Sequence, residues 1–227
     1  MRFCLLVLML GWNLLFGQGG GVAVRFELSF GGVPLELGKP YVLPNGAPVV
    51  VEALRFYVSD LQLLDGEKVA GSAESRFLLV DAENAASRKV AVPLKGGAAF
   101  DRIRFNLGID SLTQVSGAMG GVLDPTTGMY WAWQSGYIHF KLEGNAAHCP
   151  ARNHVFQFHL GGYLPPFAAL QSVELPIGRE AGEMVIDLPI DRFLEGIDLG
   201  VTYEVMRPCE AAVGLSGKVA DSFRVVE

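Results

Sequence analysis

Val22 to Phe30, VAVRFELSF, alternates without a break: Val22, Val24, Phe26, Leu28 and Phe30 fall on one side, with Arg25, Glu27 and Ser29 on the other. A period of two marks a strand with one buried face, whereas a helix would scatter these apolar residues around its circumference. Ala99 to Leu107 repeats the pattern, setting Ile103, Phe105 and Leu107 against Arg102, Arg104 and Asn106. In Val49 to Leu64 the parity changes, from Leu54, Phe56 and Val58 to Leu61 and Leu63, which predicts a bend near Ser59-Asp60. Further strand-like runs cover Arg76 to Asp81, Lys89 to Leu94, Asn153 to Leu160, Met184 to Ile190 and Ile197 to Val205. Gly31-Gly32, Asn45-Gly46, Asp65-Gly66 and Gly161-Gly162 punctuate them as turns, and one helical turn is expected over Asp191 to Gly196. With no repeat, heptad or long helical period, the pattern predicts an all-β fold, an antiparallel β-sandwich or barrel-like single domain with long loops.

At 227 residues the chain has room for one sizeable domain. Its net charge of -6, with 18 Lys and Arg and no basic run, offers no footprint for a phosphate backbone, so nucleic acid is excluded as an expected partner. At the N-terminus, Arg2 precedes an apolar run from Phe3 to Phe16 and then the small residues around Gly17 to Gly21. That is the architecture of a secretory signal peptide over residues 1–20, too short to span a bilayer comfortably. It predicts an exported chain, periplasmic or secreted, with the mature domain over 21–227 and no stable membrane insertion. Once Cys4 has left with the signal, Cys149 and Cys209 remain, and an even pair in an oxidising compartment reads as one disulfide. Such a bridge would contribute about 4 kcal/mol in the chain-entropy model. A thiolate metal site is the alternative.

Chemistry concentrates in Gly128 to Gly144, GMYWAWQSGYIHFKLEG. Drawn as one extended strand, it places Trp131, Trp133, Tyr137 and His139 on one face and Ile138, Phe140 and Leu142 on the other, unless Gly136 bulges and breaks the parity. A core needs only the second face. His139 and His159, each near the end of an aromatic-rich strand, are the pair that could hold copper or zinc between neighbouring strands, or else two structural histidines. His148 and His154 read as solvated loop residues. The aromatic-poor stretch Gly108 to Gly128 reads as a long ordered loop, in which Asp110 and Asp124 either cap turns or bind calcium. Hydrolase chemistry finds no support: the sequence has no G-x-S-x-G elbow, no H-E-x-x-H and no phosphate-cradling glycine loop leading into a helix.

Four segments resemble the MbnP-like copper-binding proteins: LRFYVSDLQLLDG at Leu54 to Gly66, FNLGID at Phe105 to Asp110, LDPTTGMYWAWQSGYIHFKLEG at Leu123 to Gly144, and FQFHLGG at Phe156 to Gly162. The resemblance runs in order along nearly the whole mature chain. It implies a β-sandwich-like, periplasmic binding protein rather than an enzyme, which serves copper acquisition or handling; the chain is expected to be a monomer. A single copper would be held by histidine and by a tryptophan oxidised to kynurenine by a partner di-haem enzyme of the MauG or cytochrome c peroxidase type. By that likeness His159 is the carried-over ligand and Trp131 or Trp133 the modified residue, while His139 is added from the face argument. The family often places a histidine in the first strand, and RFELSF carries none. The rival readings are a metal-free module that docks a partner or ligand through its aromatic face, and an electron-transfer partner that uses the tryptophans as a relay.

Overall fold

A computed structural model describes residues 20–134, 136–178 and 183–226, so residues 1–19 of the segment expected as a signal peptide lie outside the described residues. In order, the strands are β1 (Gly21–Phe30), β2 (Val33–Pro34), β3 (Pro40–Val42), β4 (Pro48–Asp65), β5 (Lys68–Ser72), β6 (Phe77–Asp81), β7 (Lys89–Pro93), β8 (Arg102–Leu107), β9 (Tyr130–Trp131), β10 (Gly136–Ala146), β11 (Val155–Gly161), β12 (Gln171–Pro176), β13 (Glu183–Pro189), β14 (Glu204–Val205) and β15 (Arg224–Val226). Helices α1 (Ser111–Val115), α2 (Ile190–Leu194) and α3 (Glu210–Ser222) interrupt them. Two sheets result, one running β15-β13-β1-β2 with β7 also on β1, the other β12-β8-β4-β10-β11-β14 with β3, β5 and β6 on β4 and β9 on β10. The fold is all-β and sandwich-like, as the alternation predicts. Two pairings are parallel rather than antiparallel, β1 with β13 and β11 with β14.

The alternating residues make the core. Val22, Val24, Phe26 and Leu28 of β1 and Ile103, Phe105 and Leu107 of β8 are all buried. Phe26 meets Phe56 and Phe105 edge to face, at centroid distances of 6.2 and 5.6 Å. The predicted bend in β4 falls at Asp60, whose φ is +52°, and the register with β8 shifts between Ser59 and Gln62. Only Glu204 and Val205 of the run expected over Ile197 to Val205 form a strand.

β4 also exchanges neighbours. Arg55 pairs with Lys141 of β10 and Asp81 of β6, so those strands flank it from opposite sides, whereas Val58 pairs with Leu78 of β6 and Leu107 of β8. Hence β8 takes over from β10 on one side of β4 between Phe56 and Val58. The end of β8 and the start of β10 diverge there.

Helix α3 was not expected from the sequence. Its buried side is Ala212, Ser216, Val219 and Ser222, a stripe too small and polar to register as an apolar period, with Gly214 and Gly217 lowering helix propensity further. The segment is nevertheless part of the core, because Phe223 after it packs on Phe105 and Phe56 at 5.3 and 5.6 Å. Beyond it, Arg224 donates to the buried carboxylate of Asp187 at 2.7 Å, and Ser29 donates to the same oxygen at 2.9 Å. Phe223→Ala is expected to lower the unfolding free energy by about 3–5 kcal/mol, read from the midpoint and slope of urea unfolding.

Candidate functional site

The tryptophans do not lie along one strand with Tyr137 and His139. Tyr130 and Trp131 form β9, residues 132–134 turn, and β10 returns from Gly136, with Trp131 opposite Gly136 and Tyr130 opposite Tyr137. The irregularity foreseen at Gly136 falls between Ile138 and Phe140, where His139 is the extra residue against β11. The turn and the bulge together undo the parity of a straight strand. Tyr137 and Ile138, expected on opposite faces, are buried in one cluster with Trp131, Tyr57, Ile109, Leu123 and Met129.

The two indoles differ sharply. Trp131 is 6% exposed, and the far edge of its benzo ring lies 2.9 Å from where a Cβ on Gly161 would stand, so Gly161 is the floor it rests on. Its buried Nε1 has no hydrogen-bond partner among the described residues. Trp133 is 67% exposed, tilted 48° to Trp131 with centroids 5.9 Å apart. Beside the hairpin tip, Gln134, Tyr163, Leu164, Pro165, Phe167 and Pro208 line a cleft of about 220 Å³.

His139 is fully buried at the fork between β8 and β10. Gly108, at φ +115°, passes so close that a Cβ there would stand 2.5 Å from Cγ and Nδ1 of the imidazole. The Gly108 backbone is itself fixed, donating to the Tyr57 carbonyl at 2.9 Å and accepting from Ser59 Oγ at 2.8 Å. On its other side, His139 Nε2 lies 2.8 Å from Gln114 Nε2 of α1. Burial lowers the pKa of His139 to about 4, outweighing the opposing Ala169 backbone; Nδ1 lacks a well-formed partner among the described residues. Gln114, 1% exposed, carried no sequence signal, since one glutamine in a polar loop looks solvated.

His159 sits one strand over, opposite Lys141, and is 7% exposed. Its Nε2 is 2.7 Å from Glu143 Oε1, and Lys141 Nζ is 3.3 Å from the same oxygen. Burial lowers the His159 pKa, and Lys141 acts in the same direction, against the attraction of Glu143. Burial would raise the pKa of Glu143, yet the hydrogen bond from His159 and the charge of Lys141 outweigh it, and the pKa is lowered. Near neutral pH this is therefore a neutral imidazole donating Nε2–H to a carboxylate, which leaves the Nδ1 lone pair.

The two histidines thus share a strand pair but not a partner, and no three His, Cys, Asp or Glu side chains converge on a common point among the described residues. Asp110 caps α1 through Thr113 N at 3.0 Å and pairs with Arg76, while Asp124 accepts from Thr126 N at 2.8 Å, so both of the carboxylates considered for calcium serve as caps. The expected Cys149 to Cys209 bridge is not formed in this structure. Cys149 is buried with Sγ donating to the Val155 carbonyl at 3.1 Å, and Cys209 stands at the N-cap of α3, so each already has a place in the local structure. His154 Nδ1 lies 2.9 Å from the Cys149 carbonyl.

The loop between β8 and β9 is anchored by two tyrosines. Tyr57 donates to the Val122 carbonyl at 2.9 Å, and burial raises its pKa to about 12. Tyr137 accepts from Met119 N at 2.9 Å and donates to the Leu123 carbonyl at 3.0 Å.

Together these features define an all-β, sandwich-like protein with a tryptophan hairpin and two buried histidines on one strand pair. The MbnP family model matches residues 19–207, and the chain belongs to that family. Among solved structures, MbnP from Methylosinus trichosporium is similar over 87% of this chain and 88% of its own, with a TM-score of 0.62 and 17% identity, a likeness of fold. No curated protein matches the chain. The family match ends before α3 and β15, which the structure packs into the core. Among the described residues no helix is long and apolar enough to cross a membrane.

Two outcomes follow. Gly108→Ala, strained at its φ and driven against His139, is expected to cost about 2 kcal/mol or more in chemical unfolding. Because the unfolded chain takes up the His139 proton near 6.5 and the folded chain only near 4, stability is present above about pH 6.5 and lost as pH falls toward 4. That loss is about 3 kcal/mol, with His159 adding in the same direction, and is read from unfolding free energies across the window.

Proposed function

We propose that this chain is an exported copper-binding protein that serves copper acquisition or handling, with one copper held by His159 and by a kynurenine formed from Trp131 or Trp133. Its maturation is assigned to a partner di-haem enzyme of the MauG or cytochrome c peroxidase type. Family membership supports the copper reading in general. The observation that carries it for this chain is the pair His159 and Glu143. A carboxylate that takes Nε2–H orients the ring, raises the basicity of the other nitrogen and is the usual backing of a metal-bound histidine. Copper, when bound, would supply a soft Lewis-acid and redox centre. His159 fits such a group. Opening the indole of Trp131 or Trp133 would provide an aryl amine and a carbonyl where indole offers only an N–H donor.

Intact mass and metal content of protein from its native compartment test this. The expected outcome is a mass shift of one carbon lost and one oxygen gained on Trp131 or Trp133, with stoichiometric copper that His159→Ala loses while remaining folded. Copper retained by His159→Ala refutes the ligand assignment. A second reading is favoured by the exposure of Trp133, Leu164 and Phe167 beside the cleft, namely a metal-free docking module. Unmodified tryptophans and no metal, in cells that hold the partner enzyme, would select it.

A further inference from the structure

We infer that His139 is a positioning residue and not a metal ligand: Gln114 fixes its imidazole as the neutral Nδ1–H tautomer, and the pair fastens α1 to the base of the tryptophan hairpin. Only the corollary, that of these two histidines copper takes His159, rests on the copper reading above.

The orientation of the Gln114 amide follows from one contact. The backbone N–H of Tyr137 can only donate, and the Gln114 atom 2.6 Å from it is therefore Oε1. That turns the amide NH2 toward His139 Nε2 at 2.8 Å and toward the Tyr137 carbonyl at 3.4 Å. An amide NH2 has no lone pair to offer, so Nε2 must be the acceptor and the ring proton resides on Nδ1. The lone pair a metal would need is already spent on Gln114. The other nitrogen carries a proton, with the Ala169 backbone as the group that favours it, and the ring packs against Gly108, where a Cβ would stand 2.5 Å from Cγ and Nδ1. Neither nitrogen therefore offers a free lone pair. His159 is the opposite case, its Nε2–H given to a carboxylate and its Nδ1 lone pair remaining.

The same amide is part of the hairpin's foundation. A Cβ on Gly136, the residue opposite Trp131, would stand 3.4 Å from Gln114 Oε1 and 3.6 Å from Tyr163 Cε1. Gln114 therefore touches the hairpin base with its oxygen and His139 with its nitrogen, and it joins the loop between β8 and β9 to both.

Long-range 1H–15N correlation of the imidazole nitrogens, recorded on the full mature protein with and without Cu(I), decides the assignment. The expected spectrum has His139 protonated at Nδ1 and bare at Nε2, unchanged when Cu(I) is added, while the His159 nitrogens shift. Gln114→Glu keeps an acceptor for Tyr137 N–H but presents oxygen to His139, and the two nitrogen shifts of His139 should exchange as the proton moves to Nε2. If that variant does not fold, the native spectrum still fixes the tautomer. His139 protonated at Nε2 in the native chain, or His139 nitrogens that move with Cu(I), would overturn the inference. Cu(I) that moves neither histidine would overturn the His159 assignment and leave the lock standing.

Discussion

The close approach of His139 to Gly108 lies at the point where β4 exchanges β10 for β8 as its neighbour. Two strands that diverge from a third leave a wedge between them, and a wedge in a protein interior must be filled to crystal-like density. A flat imidazole against a glycine backbone fills it. The polar atoms of that imidazole then need partners in a place without water, and Gln114 arrives from α1 to supply one. The path of the long loop, the attachment of α1 and the footing of the hairpin all follow from how one buried ring is satisfied.

The fold was legible wherever burial is one-sided. β1 and β8 alternate because one face meets core and the other solvent, and the parity change in β4 marked its bend at Asp60. Legibility failed where the pattern is not set by one face. The tryptophan segment is apolar on both sides because it is a hairpin base followed by a bulge, and such a sequence reads as a continuous strand. Helix α3 buries Ala and Ser rather than Leu and Ile, so its stripe carries almost no hydropathy contrast. The parallel pairing of β1 with β13 depends on a distant segment and leaves no local trace.

For the site, composition located the right segments but not the roles within them. His139 and His159 are alike in sequence, each at the far end of an aromatic run, and the structure separates them by what faces each ring: an amide in one case, a carboxylate in the other. An amide that donates consumes the lone pair of the imidazole, whereas a carboxylate that accepts leaves it free. The distinction is set by Gln114 and Glu143, brought to the histidines by tertiary structure in the first case and by the strand register in the second. Neither is readable from spacing.

The tryptophan pair combines a held residue with a presented one. Trp131 is pressed onto Gly161, and Trp133 leans on Trp131 while facing solvent. The cost of this arrangement is concentrated at Trp131 Nε1, a buried donor without a partner among the described residues. Leaving such a group unsatisfied costs about 1–3 kcal/mol, which a phenylalanine or leucine at the same place would avoid. An indole is thus held where its N–H makes no hydrogen bond among the described residues, on a footing made by Gly161 and Gln114, next to a second, exposed indole. A ring whose polar atom has no partner among the described residues can be altered chemically without unpicking the hydrogen bonds described for the hairpin base.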